Sequence, residues 1–102
     1  KRVLPFAKET GLDALECVPP EPQGNVTPEE LKEGLKGMIL IDGIPATHFL
    51  SLVGDEELKS FLYRMLGLFA PRTIPGISDM LPPDGDIEKV RMISKIVAEY
   101  PI

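Results

Sequence analysis

The stretch GISDMLPPDGDIEKV, residues 76–90, decides the fold of this chain. A short apolar run reaches two small polar residues, Ser78 and Asp79, and a loop rich in proline and glycine then leads to Asp86, where a helix is predicted to begin. This succession is typical of a strand that brings polar side chains to the mouth of an α/β fold, where such folds bind their ligands. The same strand-to-helix pattern occurs twice earlier, so we expect repeated βα units.

The first half of the chain predicts two helices and two strands. Residues 3–7 carry a weak apolar face that predicts a first helix ended by Gly11, and residues 13–18 predict the first strand. Residues 27–30 combine a capping threonine, a proline and a glutamate, which predicts the start of a second helix. The continuous apolar run at residues 38–41 is typical of a parallel strand that is covered on both faces.

The second half continues the alternation and gives the overall order αβαβαβα. A longer helical region is expected next, with a new start capped by Asp55. Residues 73–78 predict the third strand, although Pro75 and Gly76 are poor strand residues. Apolar residues at helical spacing over 86–100 predict the last helix.

Composition and charge narrow the class of protein. The chain has 102 residues, which indicates one domain, and its net charge of −5 argues against nucleic acid or an anionic membrane as the partner. Its apolar runs are too short to span a bilayer. The single cysteine excludes an internal disulfide, so we expect a cytoplasmic protein. Because the chain begins with Lys1, we expect either that upstream residues were removed or that it is a piece of a longer protein.

Three parallel strands leave two architectures open. The first is a small open α/β sandwich, whose sheet edges would each present a row of unpaired backbone groups. The second is a section of a larger (β/α)8 barrel, which needs eight strands and roughly 250 residues.

A family resemblance favours the barrel. Residues 11–16, 25–31, 39–44 and 76–90, in this order and spacing, resemble the C-terminal portion of the uroporphyrinogen decarboxylase superfamily. That superfamily includes porphyrinogen decarboxylases and zinc-dependent methyltransferases that act on methylated corrinoid proteins and thiols. The resemblance covers nearly all of residues 1–102. It implies an α/β fold that supplies about the last three βα units of a (β/α)8 TIM barrel, with parallel strands.

The resemblance also indicates where the site lies. At the turn formed by residues 78–80, the decarboxylases carry Gly-His-Gly and the methyltransferases carry a cysteine ligand to zinc, whereas this chain has Asp79. A carboxylate still binds zinc or another divalent ion. We therefore predict Asp79 and Ser78 as catalytic residues and Asp79 as a metal ligand. The sequence does not identify the cofactor, and zinc is a candidate for the complete protein. The alternative for Asp79 is a turn residue that bonds nearby backbone amides.

Five further residues are weaker candidates. Cys17 lies near the end of the first strand, but a lone cysteine is more often a small buried hydrophobe, and it does not match the cysteine ligands of the family. His48 has no partner evident in the sequence. Glu16 and Asp42 end strands and could join Asp79 in a carboxylate cluster, or Asp42 could simply form a turn with Gly43. Arg72 precedes the third strand and is expected at the opposite end.

These observations predict a fragment of an enzyme. We expect a uroporphyrinogen decarboxylase-like protein of divergent methyltransferase type, acting on a corrinoid or thiol methyl group, because no arginine of this chain is predicted at the mouth. The alternatives are a uroporphyrinogen decarboxylase, whose substrate is an acidic tetrapyrrole, a non-catalytic α/β interaction module, and a degenerate barrel that retains only the fold. The expected partner is accordingly a tetrapyrrole or a corrinoid protein. The isolated 102 residues are predicted to be inactive.

An open sheet also predicts association. Closure of a barrel would normally cover apolar strand residues such as Ile39, Ile41 and Ile77. We therefore expect this chain to self-associate or to pair with a missing N-terminal part.

Overall fold

Two small parallel sheets carry the fold, and the computed structural model describes residues 1–101. The elements are β1 (Ala14–Glu16), α1 (Pro28–Leu35), β2 (Ile39–Ile41), β3 (Ile44–Pro45), α2 (Asp55–Phe69), β4 (Thr73–Ile74), β5 (Ile77–Ser78) and α3 (Ile87–Glu99), with 3-10 helices at Leu4–Thr10 and Ala46–Phe49. One sheet has the strand order β1-β2-β4, and the other pairs β3 with β5. The protein is therefore α/β with parallel strands, as predicted.

Local sequence signals account for the start of α1 and for two other helix ends. The hydroxyl of Thr27 accepts a hydrogen bond from the backbone N–H of Glu30, and the carboxylate of Glu30 accepts one from the backbone N–H of Thr27. This reciprocal capping box is the one predicted from residues 27–30. Gly11 ends the first 3-10 helix in a left-handed conformation, and the Asp86 carboxylate caps α3.

The predicted third strand is divided in two. Its first part, β4, pairs with β2, whereas its second part, β5, pairs with β3. The division falls at Pro75 and Gly76, opposite a bend at Asp42 and Gly43. The parallel hydrogen-bonding pattern nevertheless continues across the bend. The backbone N–H groups of Leu40, Asp42 and Ile44 donate to the carbonyls of Arg72 (3.1 Å), Ile74 (2.8 Å) and Gly76 (3.1 Å), respectively.

Three other predictions about elements need correction. The first helix is a 3-10 helix, because its apolar face is too weak to bury a side chain completely. The longer helical region after Gly43 begins with β3 and a 3-10 helix instead of an α-helix. Asp55 is the first residue of α2 and not its cap; Gly54 occupies the cap position, and no side chain caps it.

The strand register separates two faces of the larger sheet. Leu15, Leu40 and Thr73 are paired and share one face, where Leu40 is completely buried. The opposite face carries Ala14, Glu16, Ile39, Ile41 and Ile74. Its isoleucines are only partly covered, and Ile74 is 61% exposed. One face of the sheet thus belongs to the core, while the other is open.

The helices cover the buried side in chain order, since α1 packs against α2 and α2 against α3. One core cluster joins α1 to β2 and the end of α2, and its buried members are Val26, Leu31, Leu35, Met38, Leu40, Met65 and Phe69. A second cluster joins α2 to α3 and β3, and its buried members are Ile44, Phe49, Leu58, Leu62, Leu66 and Ile93. In residues 1–101 the strands form open sheets and no closed barrel. None of the helices in this range has the length and apolar character needed to cross a bilayer.

Candidate functional site

Three strand ends meet at the carboxyl edge of the sheets, and each ends in an unusual backbone conformation. Cys17 follows β1, Asp42 follows β2 and Asp79 follows β5, with φ angles of 54°, 70° and 82°. A left-handed conformation costs a residue other than glycine about 1–2 kcal/mol. Such outliers concentrate at functional sites, where the surrounding structure holds them in place.

The side chain of Cys17 connects these ends. Its thiol lies 3.6 Å from a carboxylate oxygen of Asp42, to which it can donate a hydrogen bond. The backbone N–H of Asp79 in turn donates to the Cys17 sulfur, at 3.4 Å. Glu16 adds a second carboxylate, because one ligand atom each from Glu16, Cys17 and Asp42 all lie within 4.8 Å of one another. We call these three residues the thiol–carboxylate cluster.

The position of Asp42 depends on a glycine in the neighbouring strand segment. A Cβ atom at Gly76 would lie 2.6 Å from the Oδ1 atom of Asp42, so this carboxylate keeps its present position only while residue 76 has no side chain. The next residue in the chain, Gly43, also has a positive φ of 100°. The bend between β2 and β3 therefore turns the carboxylate of Asp42 toward β1 and Cys17.

Ser78 lies next to this cluster but is buried. Its hydroxyl oxygen accepts a hydrogen bond of 3.0 Å from the backbone N–H of Gly43, and the residue is only 1% exposed. The contact joins the end of β5 to the bend after β2. It accounts for Ser78 as a structural residue, and the predicted catalytic role of Ser78 stays a prediction.

Asp79 is exposed at the same edge and meets the cluster through its backbone. Within residues 1–101, the one group of side chains close enough to hold a metal ion is the thiol–carboxylate cluster, which does not include the Asp79 carboxylate. The roles predicted for Asp79 in catalysis and in metal binding therefore remain predictions.

The interpretation of Cys17 as a small buried hydrophobe is wrong, because this cysteine is exposed. Glu16 and Asp42 lie close to each other, but the carboxylate cluster that was expected included Asp79, and the carboxylate of Asp79 is not part of this group. A signal for Cys17 was present in the sequence, since it lies near the end of a predicted strand, as Asp42 does. Judged by residue type alone, the carboxylates were stronger candidates for the site than Cys17.

His48 and Arg72 lie outside the cluster. The ring of His48 is buried against Phe61, with the ring centroids 4.5 Å apart, and burial lowers the pKa of its imidazole. The guanidinium of Arg72 donates a hydrogen bond of 3.0 Å to the carbonyl of Gly37, which precedes β2. Arg72 therefore lies at the amino ends of the strands, as predicted.

The cluster offers one thiol and two carboxylates, which are ligand types that zinc accepts. Two acidic groups also attract a cation to this edge, and the Asp42 carboxylate is placed to accept a hydrogen bond from the thiol of Cys17. The donor set thus fits a divalent metal such as zinc.

No protein-family model, no curated protein and no solved structure matches this chain. The geometry of the strand ends is therefore the evidence on function.

Proposed function

We propose that this chain is the C-terminal section of a uroporphyrinogen decarboxylase-like (β/α)8 barrel, of the methyltransferase type. The observation that carries the proposal is the thiol of Cys17, which lies between the carboxylate of Asp42 and the backbone N–H of Asp79. In this chain the thiol thus comes from a different strand end than the cysteine ligand of the methyltransferases, which occupies the position of Asp79. These groups lie at the carboxyl ends of parallel strands, where (β/α)8 barrels have their active sites.

The topology supports the barrel section. The pairs are β1 with β2, β2 with β4 and β3 with β5, and every pair is parallel, as in the wall of a barrel. The helices follow one another on one side, which is what right-handed crossovers in a single direction produce. The open face carries Ile39, Ile41 and Ile74, and closure of a barrel would turn these side chains inward.

Each residue of the cluster has a definite role in the proposed chemistry. A zinc ion held by Glu16, Cys17 and Asp42 would lower the pKa of a substrate thiol and so make it nucleophilic at neutral pH. The N–H of Asp79 orients the Cys17 sulfur, and the Asp42 carboxylate, which accepts a hydrogen bond from the Cys17 thiol in the free protein, would become a ligand once the metal displaced the thiol proton to solvent. In the transfer, a bond forms between the substrate sulfur and the methyl carbon, while the electron pair of the cobalt–carbon bond stays with the corrinoid.

The alternative within this class is decarboxylation of an acidic tetrapyrrole. The observation that favours it is the exposed carboxylate of Asp79, which could accept hydrogen bonds from pyrrole N–H groups. In that case the substrate contact would depend on Asp79 and would be indifferent to the thiol of Cys17.

Cobalt(II) binding tests the proposal, because cobalt(II) substitutes for zinc and shows a charge-transfer absorption when a thiolate binds it. We expect the chain to bind cobalt(II) with this absorption, and Cys17→Ser to abolish it. Asp42→Asn should weaken binding at least about tenfold, since a carboxylate ligand is lost. The matched control is Asp84→Asn, an exposed carboxylate outside the cluster, which should bind like the unaltered chain.

Two results would contradict the methyltransferase assignment. One is cobalt(II) binding without a thiolate band, or with the same band in Cys17→Ser. The other is binding of uroporphyrinogen that Asp79→Ala removes and Cys17→Ser leaves intact, which would support the decarboxylase instead.

A further inference from the structure

The segment formed by residues 46–50 connects three parts of the fold. It follows β3, and the backbone N–H of Ala46 donates a hydrogen bond of 2.7 Å to the side-chain carbonyl of Gln23. The carbonyl of Phe49 accepts one of 2.9 Å from the backbone N–H of Asp86, the cap residue of α3. The position of this segment therefore sets where α3 begins.

His48 anchors this segment as a neutral ring. The residue is 8% exposed, and its ring packs against Phe61 of α2. Its Nδ1 atom is buried and has no hydrogen-bond partner in residues 1–101. A protonated imidazole has two N–H donors, so the charged ring would bring a buried donor without an acceptor into this site. Burial accordingly lowers the pKa of His48.

The charged groups from α2 and from the loop before α1 offset the lowering of the His48 pKa by burial only in part. Glu57 of α2 faces His48 and raises its pKa, but less than burial lowers it. Arg64 of α2 lines the same groove and is paired with Glu29 at 2.5 Å. Glu21 lines the groove from the loop. The groove has a volume of about 450 Å³ and borders the ring, so a displaced ring can enter it.

The charged groups that α3 brings to the segment are already bonded elsewhere. The carboxylate of Asp86 accepts a hydrogen bond from the backbone N–H of Glu88. The ammonium of Lys89 donates to the carbonyl of Val53 and to the carboxylate of Asp55. Lys89 has no acceptor to offer a protonated His48, and the Asp86 carboxylate makes no hydrogen bond to His48 in this structure.

We propose that His48 is an acid-sensitive latch, whose protonation moves the ring from Phe61 into the adjacent groove and releases the bond between Phe49 and Asp86. The start of α3 then loosens. This device is separate from the thiol–carboxylate cluster, so its test does not depend on the proposed function.

The direction of the pH effect follows from linkage. The pKa of His48 is lower in the closed state than the value of about 6.5 that a free histidine has. At pH values between these two pKa values, the released state binds more protons than the closed state. The latch is therefore closed above about pH 7 and is progressively destabilised as the pH falls through this window.

Hydrogen exchange of the Asp86 amide between pH 7.5 and 5 tests the latch, after correction for the intrinsic pH dependence of exchange. We expect the protection of this amide to fall about tenfold for each unit by which the His48 pKa is lowered. The amide of Leu40 in β2, a completely buried residue, serves as the internal control and should stay protected. In His48→Phe the protection of the Asp86 amide should not change with pH.

A second variant makes the test specific. Glu57→Gln removes the carboxylate that favours the protonated ring in the closed state, so it should extend the transition to lower pH and increase the total loss of protection. The proposal is overturned if protection in the unaltered chain is as independent of pH as in His48→Phe, or if Glu57→Gln leaves both the extent of the transition and the total loss of protection unchanged. Should His48→Phe not fold, NMR titration of the His48 ring decides, since titration without any change at the Asp86 amide also overturns it.

Discussion

At the scale of single residues, the candidate site depends on a close approach between Asp42 and the backbone of Gly76. Because no Cβ is present at residue 76, the Asp42 carboxylate lies against this backbone and reaches the thiol of Cys17. The local requirement for glycine thus connects the β4–β5 bend to the thiol–carboxylate cluster.

The first prediction concerns Gly76→Ala. The added Cβ would lie 2.6 Å from the Oδ1 atom of Asp42, and this partly exposed carboxylate would have to rotate away. We expect urea denaturation to show a change of less than about 1 kcal/mol in the free energy of unfolding, because the displaced group is the end of a flexible side chain. We also expect a change in the reaction rate of the Cys17 thiol with a disulfide reagent, because the thiol loses its contact with Asp42.

The control is Gly67→Ala in the exposed part of α2, where the added Cβ meets nothing within 4 Å. Alanine favours a helix over glycine by about 1 kcal/mol, so this variant should be more stable than the unaltered chain. If Gly67→Ala changed the reaction rate of the Cys17 thiol as much as Gly76→Ala does, the close approach at Gly76 would not be the cause.

At the scale of elements, a buried ammonium ties α3 to the start of α2. The side chain of Lys89 is 3% exposed and donates hydrogen bonds to the carbonyl of Val53 (2.6 Å) and to Asp55 (2.7 Å). The hydrogen bond and the charge of Lys89 hold the pKa of Asp55 below its usual value. This ion pair therefore contributes fully to the free energy of unfolding at pH values above the usual pKa of aspartate. Its contribution is lost as the pH falls through the lowered pKa of Asp55.

The second prediction concerns Lys89→Met, which keeps the length of the side chain but removes its donors. Loss of a hydrogen bond to a charged group costs about 1.5–3 kcal/mol, and we expect a decrease of this size in the free energy of unfolding. Lys95→Met on the exposed part of the same helix should change it by less than about 0.5 kcal/mol. Equal effects of the two substitutions would refute the role given to Lys89.

At the scale of the whole molecule, the sheet is covered on one face only. The open face carries Ile39, Ile41 and Ile74, and β1 and β4 lie at the two edges of the larger sheet. Exposed edges are templates for pairing with another chain. Pro75, which has no backbone N–H to donate to a further strand, follows directly after β4.

The third prediction is that this chain self-associates through the open face, or pairs with the N-terminal part of a barrel. Sedimentation should show species larger than a monomer, and Ile74→Glu should shift them toward the monomer, because Ile74 is 61% exposed on this face. Leu52→Glu is the control, since Leu52 is 85% exposed but lies in the turn before α2. A well-folded monomer at high concentration would contradict the prediction.

The sequence was sufficient to predict the elements whose signals are local. The capping box at residues 27–30, the left-handed end at Gly11 and the strand at Ile39–Ile41 are each encoded within a few residues, so their patterns identify them. The parallel α/β class follows because buried strands alternate with amphipathic helices.

The tertiary structure alone decided which residues meet. The contact of Cys17 with Asp42 spans 25 residues of sequence, and its contact with Asp79 spans 62. Both depend on the strand register, and the first also depends on the bend beside Gly76. Neither the register nor the bend has a local signal, because each results from the packing of side chains that are distant in the chain. For the same reason the sequence identified Asp79 as a candidate but did not reveal the exposed thiol beside it.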